Sequence, residues 1–411
     1  MKGRGIWIVM DAVGIGGAPD ASRFGDAGAD TLGNIVQACA VGQANRGRLG
    51  ELRIPNLKKL GIFGAHAEAN SDSYTGHIGK NSNASYASAT EISQGKDTPS
   101  GHWELAGVPV RWNWKYFKDK KNSFPEIAMR KIMKVCDLTG ILGNCHASGT
   151  EIIREFGELH ITSLKPIIYT SVDSVVQIAC HEEHFGLQKL YEICRESARI
   201  FHPMMVGRVI ARPFLGKDRN SFYRTNNRKD YTIPPPKPTI CEIVTGSGRS
   251  CHAIGKISDI FANRGISTSV SGMSDDRLFD EMLNIVNTAQ DGDLIFANFV
   301  EFDSLYGHRR DVSGFALALE RFDKKIGNLL TLINSDDFLI ITADHGNDPT
   351  FKGSDHTRER VPVLMSGNYA QVGNHGKIFF SDVGATMLSY LGIEGEIEGG
   401  NIFVRKKMKK N

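Results

Sequence analysis

The sequence lacks the features that mark secreted and membrane-spanning proteins. Its seven cysteines are odd in number and scattered, and none lies in a Cys-x-x-Cys pair, which favours a reducing, cytoplasmic compartment. No apolar run approaches the roughly 18 residues that span a bilayer. The first apolar run is interrupted at Asp11 and is followed by no small-residue cleavage site, so we interpret it as a strand and not as a signal peptide. We therefore expect a cytoplasmic protein without a membrane partner.

The chain also has little net charge. The formal charge is +3 over 411 residues, which is too close to neutral to indicate a nucleic-acid partner. Residues 111–121 are basic and aromatic, and such a stretch can stack on single-stranded nucleic acid, but with this net charge we favour a packed hinge beside an inserted domain. The length is sufficient for two domains. The sequence does not indicate an oligomeric state, and we expect a monomer.

Three apolar runs end in candidate metal ligands. The runs cover residues 5–10, 293–300 and 338–343. Unbroken apolar runs are typical of strands that are buried on both faces of a parallel sheet, and sites in such sheets lie beyond the carboxyl ends of the strands. We therefore predict that six side chains that follow these runs converge on one crevice. They are Asp11, Asp303, His308, Asp344, His345 and His356.

The chemistry of these six side chains indicates a transition-metal site. Carboxylate and imidazole suit Mn²⁺, Zn²⁺ or Fe, whereas a calcium site would consist of oxygen ligands. Six ligands are too many for one ion that keeps an open position, so we predict two ions. For any single residue the alternative is a structural role, as a helix-capping aspartate or a hydrogen-bonded histidine. The repetition of the pattern after three strands favours the metal site.

A candidate nucleophile lies at Thr98, directly before Pro99, and proline is favoured at the first position of a helix. The structural alternative is that Thr98 only caps the helix. In the functional interpretation, the helix amino terminus stabilises a phosphate, and a threonine beside a metal accepts and releases a phosphoryl group. Ser100 is a weaker candidate for the same role.

The composition predicts an inserted domain. Short apolar segments alternate with Gly-rich loops up to about residue 110, helical patterns follow, and a proline-rich spacer covers residues 232–238. Two of the three ligand-bearing strands lie after residue 290 and one lies before residue 15. We predict a core domain formed by residues 1–113 and 234–411, with residues 114–233 inserted as a cap that recognises the substrate.

Several motifs occur in order along the chain. They are Asp-Ala-Val-Gly-Ile-Gly at residues 11–16, Gly-Lys-Asp-Thr-x-x-Gly-His-Trp-Glu at 95–104, Tyr-Thr-Ser-x-Asp-Ser-Val at 169–175 and Thr-Ala-Asp-His-Gly-Asn-Asp at 342–348. Through them the chain resembles the phosphopentomutase family of alkaline-phosphatase-like metalloenzymes. The resemblance covers nearly the whole chain. It implies an α/β fold with a central, mostly parallel sheet flanked by helices, and a smaller inserted α+β cap.

The resemblance also implies roles for individual residues. Two Mn²⁺ ions are expected, one held by Asp303, His308 and His356 and the other by Asp11, Asp344 and His345. Thr98 is expected to carry the phosphoryl group, after charging by a sugar bisphosphate such as glucose 1,6-bisphosphate.

In the cap, the resemblance places Ser171 and Asp173 on the ribose hydroxyls. Arg208 and Arg224 are expected to bind the phosphate remote from the metals, since guanidinium suits phosphate recognition. Arg212 and Arg228 lie in the same stretches and are alternatives to these two arginines. A solvated surface position remains the structural alternative for all four.

The implied activity is that of an isomerase that transfers a phosphoryl group between O1 and O5 of ribose or 2-deoxyribose through a 1,5-bisphosphate. Its partners are then small-molecule pentose phosphates. A metal-dependent phosphatase of the same superfamily is the main alternative, because it would use the same ligands with water as the acceptor. A cofactor-independent phosphoglycerate mutase would be expected to have serine at position 98. A non-catalytic metal-binding protein is the third alternative.

Overall fold

A computed structural model describes residues 3–70, 84–171 and 174–404. The chain forms two compact units. The larger unit consists of Met1–Arg111 and Pro235–Asn411, and the smaller unit consists of Trp112–Pro234. No helix among the described residues is long and apolar enough to cross a membrane.

The described residues contain 14 strands. In chain order they are β1 (Gly5–Met10), β2 (Ser85–Thr90), β3 (Leu142–His146), β4 (Ile167–Thr170), β5 (Val175–His181), β6 (Arg208–Leu215), β7 (Tyr223–Arg224), β8 (Lys229–Thr232), β9 (Cys251–Ile254), β10 (Thr268–Val270), β11 (Leu294–Phe299), β12 (Phe338–Thr342), β13 (Val361–Ser366) and β14 (Gly373–Phe379).

The same residues contain 12 α-helices. They are α1 (Thr31–Ala40), α2 (Pro55–Leu60), α3 (Ile62–Asn70), α4 (Thr98–Leu105), α5 (Glu126–Val135), α6 (Gly149–Ser163), α7 (Leu187–Phe201), α8 (Ile240–Gly246), α9 (Ile257–Ile260), α10 (Asp275–Thr288), α11 (Val312–Leu332) and α12 (Phe380–Leu391). One π-helical turn, Phe302–Gly307, follows β11.

The larger unit is built on an eight-stranded sheet in the order β10-β9-β11-β1-β12-β13-β2-β14. Neighbouring strands run parallel except at β13, which is antiparallel to both β12 and β2. Every residue of β1, β2, β11 and β12 is buried, so helices and loops cover both faces of the sheet. This explains why β1, β11 and β12 have largely apolar sequences without polar alternation, whereas β2 buries two serines and a threonine as well.

The first strand of the chain lies in the interior of this sheet. β1 pairs in parallel with β11 on one side and with β12 on the other. Trp7 lies opposite Phe296, and their rings stack with centroids 4.5 Å apart. The three predicted ligand-bearing strands are therefore neighbours, and their carboxyl ends lie at the same edge.

The smaller unit has a mixed sheet in the order β3-β4-β5-β6-β7, with β8 paired to β6. Helices α5 and α7 pack on one apolar cluster that includes Ile132, Leu190 and Phe201. Helix α6 packs on a second cluster through Ile152 and Ile153. The unit thus has its own core on both faces of its sheet, which is the requirement for an independently folded domain.

The predicted α/β fold class, with a large, mostly parallel sheet flanked by helices, is confirmed. The β1 boundaries match the predicted run at residues 5–10. The second run is shorter than predicted, because β11 ends at Phe299 and the chain then enters the π-helical turn.

Helix α5 offers a matched pair of substitutions that tests the core of the smaller unit. We expect Ile132→Ala to lower the free energy of unfolding by about 2–5 kcal/mol, because Ile132 is fully buried and the change leaves a cavity. Ile127→Ala, on the same helix but 69% exposed, should change it by less than about 0.5 kcal/mol. Urea denaturation measures both, and equal losses would contradict this assignment of the core.

Candidate metal centre

The candidate site lies in the larger unit, beyond the carboxyl ends of β11, β1 and β12. Asp11 directly follows β1, and Asp344 lies two residues after β12. Asp303 lies in the π-helical turn after β11, and His308 directly follows that turn. The polar residues that follow three neighbouring parallel strands thus lie in one crevice, as the sequence pattern predicts.

One set of ligand atoms surrounds Asp303. Its Oδ2 lies 3.1 Å from His308 Nε2, and its Oδ1 lies 3.4 Å from His356 Nε2. The two histidine Nε2 atoms are 3.2 Å apart. Atoms that each lie about 2.1 Å from one ion, at angles near 90–110°, are about 3.0–3.4 Å from one another. The spacing therefore fits three ligands of one ion.

The second set surrounds His345. Its Nε2 lies 3.5 Å from Asp11 Oδ1 and 3.3 Å from Asp344 Oδ2. Ligand atoms of these three residues lie within 4.8 Å of one another, and so do those of Asp303, His345 and His356. His345 thus lies between the two sets, and the six predicted side chains form one continuous cluster.

The three histidines share one orientation. Each donates from Nδ1 to a backbone carbonyl oxygen: His308 to Ser354 at 2.7 Å, His345 to Gly346 at 3.1 Å and His356 to Lys96 at 3.0 Å. This places the proton of the neutral ring on Nδ1 and leaves the lone pair of Nε2 facing the cluster. Histidine ligands of metals are fixed in this way, by a hydrogen bond from the nitrogen that does not bind the ion.

The buried carboxylates of the cluster require a cation. Asp11 and Asp344 are fully buried, and Asp11 Oδ1 and Asp344 Oδ2 make no hydrogen bond. Burial, and next the neighbouring Asp344 carboxylate, raise the pKa of Asp11 well above its usual range. Asp11 accepts from Asn298 Nδ2 and Asp344 accepts from Ala12 N, so each carboxylate has a donor on one oxygen and lacks one on the other. Two like charges with so few donors are costly in a buried site, and a divalent ion relieves both costs. These observations fit a metal centre.

The charge of His356 also depends on the acids around it. Burial alone would lower the pKa of His356, but the Asp303 carboxylate at 3.4 Å raises it to about 9. His345, by contrast, has a pKa that burial lowers to about 4. Ion binding at His356 therefore displaces a proton, whereas His345 is already neutral at pH 7.

Thr98 is the first residue of α4, and its Oγ1 lies 3.2 Å from His345 Nε2. The capping residue is Asp97, whose side chain accepts from Ser100 N at 3.0 Å, so the alternative that Thr98 caps the helix is wrong. Ser100 Oγ is buried and donates to Asp97 Oδ2 at 3.0 Å. Ser100 thus supports the cap and the hydroxyl at the cluster is that of Thr98.

The amino terminus of α4 has few free donors. Ser100 N donates to Asp97 Oδ1, Gly101 N donates to Asp97 O, and Pro99 has no N–H. The helix therefore offers its dipole more than its amides to a bound phosphate. Gly101 allows a close approach to the ligand loop, since a Cβ atom there would lie 2.1 Å from Asp344 O.

Asn347 and Arg310 fix the positions of two candidate ligands, Asp303 and His356, through hydrogen bonds. Asn347 Nδ2 donates to Asp303 Oδ1 at 2.7 Å, and the Arg310 guanidinium donates to Asn347 Oδ1. Arg310 also donates to the backbone oxygens of Gly353, at 2.6 Å, and of Asp355, at 2.9 Å. It thereby fixes the loop that ends at His356. Neither residue was predicted from the sequence, because its role appears only when distant loops meet.

Glu359 joins the loops around the centre. This buried carboxylate accepts from Gly16 N and Thr31 N, both at 2.9 Å, and from the hydroxyls of Thr31 and Thr357, both at 2.6 Å. Burial, and next the charge of Asp30, raise the pKa of Glu359 to about 8. Three segments that are far apart in the sequence are thus held together at one side chain.

Arg358 likewise holds the segment before Thr98 to other loops of the site. Its guanidinium donates to Gly95 O at 2.8 Å, to Asp20 Oδ2 at 3.0 Å and to the Glu91 carboxylate. The side chain is 2% exposed, so these acceptors replace water around its charge. The loop that leads to Thr98 is therefore anchored to the loop that follows the ligands.

The predicted substrate-binding residues belong to the smaller unit. Ser171 Oγ accepts from Gln177 Nε2 at 3.4 Å, and Gln177 Oε1 accepts from Arg212 Nε at 3.0 Å. Asp173 lies outside the described residues. Arg208 begins β6, and its NH1 lies 3.8 Å from Asp230 Oδ2.

Arg224 lies at the start of α6, and Arg212 lies on β6, which pairs with the strand that contains Arg224. Arg224 NH2 donates to Tyr169 Oη at 3.5 Å, and a Cβ atom on Gly149, the first residue of α6, would overlap the Arg224 guanidinium. Burial, and next the charge of Arg228, lower the pKa of Arg212 to about 10. A guanidinium group beside a helix amino terminus suits a phosphate.

The sequence matches the metalloenzyme superfamily over residues 3–395. A phosphopentomutase of Idiomarina loihiensis is 50% identical over 398 residues, which cover 96% of this chain and 98% of that protein. A phosphopentomutase of Shewanella pealeana is 49% identical over 409 residues, or 98% of this chain and 100% of that protein. Among solved structures, a phosphoglycerate mutase of Leishmania mexicana aligns with 97% of each chain at 12% identity and a TM-score of 0.47.

The closely spaced carboxylates lead to a prediction for Asp11→Asn, whose effect on the free energy of unfolding should change sign when metal is added. Without divalent ions, we expect Asp11→Asn to raise the free energy of unfolding at pH 7 by about 1–2 kcal/mol, because it replaces a buried carboxyl group that lies beside Asp344 and has a donor on only one of its oxygens. With Mn²⁺ at a hundredfold excess over its Kd, the variant should instead be less stable than the wild type, since an ion whose ligand is lost no longer contributes about 2.7 kcal/mol.

Urea denaturation with chelator and with Mn²⁺ measures both effects. Asp337→Asn is the matched control, because Asp337 is a buried carboxylate that is paired with Arg4 at 2.6 Å, away from the cluster. It should lose about 3–5 kcal/mol in both conditions. Equal destabilisation by Asp11→Asn with and without Mn²⁺ would contradict a metal centre at Asp11.

Proposed function

As a member of the phosphopentomutase family within the metalloenzyme superfamily, this chain is an isomerase of the intramolecular phosphotransferase type, and we propose that it interconverts ribose 1-phosphate and ribose 5-phosphate. The 2-deoxyribose phosphates are substrates of the same reaction. The observation that carries the proposal is the position of Thr98, whose hydroxyl lies 3.2 Å from His345 Nε2 inside a cluster of six metal-binding side chains.

The proposal assigns two Mn²⁺ ions to the two sets of ligands. Asp303, His308 and His356 would hold one ion, and Asp11, Asp344 and His345 would hold the other. Bound there, the ions would supply positive charge for the phosphoryl oxygens and would lower the pKa of the Thr98 hydroxyl. A mixed set of carboxylate and imidazole ligands is compatible with Mn²⁺, Zn²⁺ or Fe, and the choice of Mn²⁺ rests on the family.

Thr98 is the proposed carrier of the phosphoryl group. Phosphorylated Thr98 donates to O5 of ribose 1-phosphate, so that the bond from phosphorus to Oγ1 breaks and a bond to O5 forms. The product is ribose 1,5-bisphosphate. The bisphosphate then reorients in the site, so that its O1 phosphoryl group faces Thr98. This group transfers to Thr98 Oγ1, and ribose 5-phosphate leaves. A sugar bisphosphate such as glucose 1,6-bisphosphate supplies the first phosphoryl group.

The fixed geometry around Thr98 supports such a transfer. Asp97 caps α4, and Arg358 holds the preceding loop through Gly95 O at 2.8 Å. The nucleophile is therefore placed before the substrate arrives, and positioning accounts for much of the acceleration in phosphoryl transfer. Water competes with the sugar hydroxyl, so exclusion of water separates a mutase from a phosphatase.

We assign sugar recognition to the smaller unit. Ser171 and Asp173 bind ribose hydroxyls in this proposal. Arg224 binds the phosphate that is not transferred, because its guanidinium group lies at the start of α6. Arg208 remains the second residue that the resemblance predicts for this phosphate, and its NH1 lies 3.8 Å from Asp230 Oδ2. Because that carboxylate already faces Arg208, we propose Arg212, four residues later on β6 and about 13 Å away along the strand, as the alternative to it.

Replacement of Thr98 tests the phosphothreonine scheme. We expect Thr98→Val to lower kcat by at least about 10³-fold, because it keeps the volume of the side chain and removes its nucleophilic oxygen. Thr98→Ser is the matched control and should retain activity and phosphorylation. Intact mass after incubation with glucose 1,6-bisphosphate should increase by one phosphoryl group in the wild type and the serine variant only.

Two outcomes would overturn the proposal. Interconversion of the pentose phosphates by Thr98→Val at the wild-type rate would exclude the phosphothreonine scheme. Release of inorganic phosphate from ribose 1-phosphate without formation of ribose 5-phosphate would identify a metal-dependent phosphatase, which is the main alternative.

The two arginines of β6 give a second test. We expect Arg212→Leu to raise KM for ribose 5-phosphate about 10- to 100-fold, because a charge-assisted hydrogen bond to phosphate contributes about 1.5–3 kcal/mol. Arg208→Leu, on the same strand, should change KM by less than about threefold. Steady-state kinetics distinguish them, and a larger effect at Arg208 would favour the assignment of that residue to the phosphate.

A further inference from the structure

His102 lies one helical turn after Thr98 on α4 and is fully buried. It is neither a predicted ligand nor the nucleophile. Its Nδ1 lies 3.0 Å from the backbone oxygen of Thr98 and 3.1 Å from Asp344 Oδ2. A single ring nitrogen thus faces both the nucleophile residue and a carboxylate of the metal cluster.

The other ring nitrogen faces the second carboxylate of the same set through Asn298. His102 Nε2 lies 3.3 Å from Asn298 Nδ2, and Asn298 Nδ2 donates to Asp11 Oδ2 at 2.9 Å. Asn298 is a buried polar residue of β11. It is the one polar residue in an otherwise apolar strand, and its amide is aimed at the metal cluster.

Hydrogen-bond chemistry fixes the direction of every contact in this chain. The Asp11 carboxylate accepts, so the amide group of Asn298 that faces it is the NH₂ group. The second N–H of that group points to His102 Nε2, which must therefore accept. The ring proton is consequently on Nδ1, which donates to Thr98 O and lies 3.1 Å from Asp344 Oδ2. All the hydrogen-bond roles are mutually consistent in this single arrangement.

We propose that His102 and Asn298 are positioning residues. They hold the Asp11 and Asp344 carboxylates at a fixed position relative to α4, the helix that carries Thr98. The inference rests on the proposed two-ion function and adds two residues that touch neither substrate nor ion. His102 Nδ1 faces both Thr98 O and Asp344 Oδ2, and His102 Nε2 is connected to Asp11 through Asn298. A shift of α4 would therefore move the ligands of one ion. The set formed by Asp303, His308 and His356 is outside this connection.

The test compares two variants of neighbouring buried residues on α4. His102→Phe keeps an aromatic ring, which is somewhat larger than imidazole, and removes both nitrogens. Trp103→Phe is the control, because it removes one hydrogen bond of the same helix, from Trp103 Nε1 to Ile260 O at 2.9 Å. Mn²⁺ alone is titrated by calorimetry into each metal-free protein, and the number of ions and their Kd values are measured.

We expect His102→Phe to weaken one of two Mn²⁺ binding steps about 10- to 100-fold, which is typical for the loss of a group that orients a metal ligand. The other step should change by less than about threefold. The kcat value should fall by a similar factor while KM stays within about threefold. Trp103→Phe should leave both binding steps unchanged. His102→Asn, which places an amide donor near the position of Nδ1, should recover part of the lost affinity.

Each outcome decides the proposal. If His102→Phe binds both ions with wild-type Kd values, or loses both equally, the positioning role is wrong. Should His102→Phe fail to fold, as judged by circular dichroism, Asn298→Leu tests the same connection from β11, and wild-type affinity for both ions in that variant would overturn the proposal. If the wild type itself binds fewer than two Mn²⁺ ions, the proposed function fails instead, so the two failures are distinguishable.

Discussion

The larger unit depends on one electrostatic constraint, which is the burial of carboxylates that have too few donors. Asp11 and Asp344 follow two neighbouring strands, and each keeps an oxygen that makes no hydrogen bond. Such an arrangement costs free energy of folding unless a cation is present. The hydrogen bonds from the histidine Nδ1 atoms to backbone carbonyls have the same effect, because they leave every Nε2 facing the carboxylates. Local structure is thus arranged for an ion and not for the stability of the polypeptide alone.

The position of the centre was predictable because it follows from one rule about parallel sheets. Apolar runs without alternation indicated strands buried on both faces, and the polar residues that end them had to meet if the strands were neighbours. The structure pairs β1 with β11 and β12, and Asp11, Asp303 and Asp344 come together as a result. Thr98 was predictable as a helix start, although the cap itself is Asp97.

The supporting residues were not predictable, because their partners are far away in the sequence. Arg358 binds Asp20, which lies 338 positions earlier, and Asn298 binds Asp11 across 287 positions. No periodicity or spacing identifies such contacts before the fold is known. The assignment of Arg208 shows a related difficulty, since arginines at positions 208 and 212 are equivalent in a strand pattern of period two. Such a pattern does not choose between the two arginines.

The place of β1 in the sheet has a consequence for the synthesis of the protein. Gly5 pairs with Leu294, so β1 is synthesised 289 residues before its partner in β11. At about 5–20 residues per second, this delay lasts roughly 15–60 s. During that time a fully apolar segment has neither neighbour, and unpaired strand edges of this kind are prone to aggregate. The risk of aggregation during synthesis therefore lasts until β11 and β12 have been made and β1 is paired on both sides.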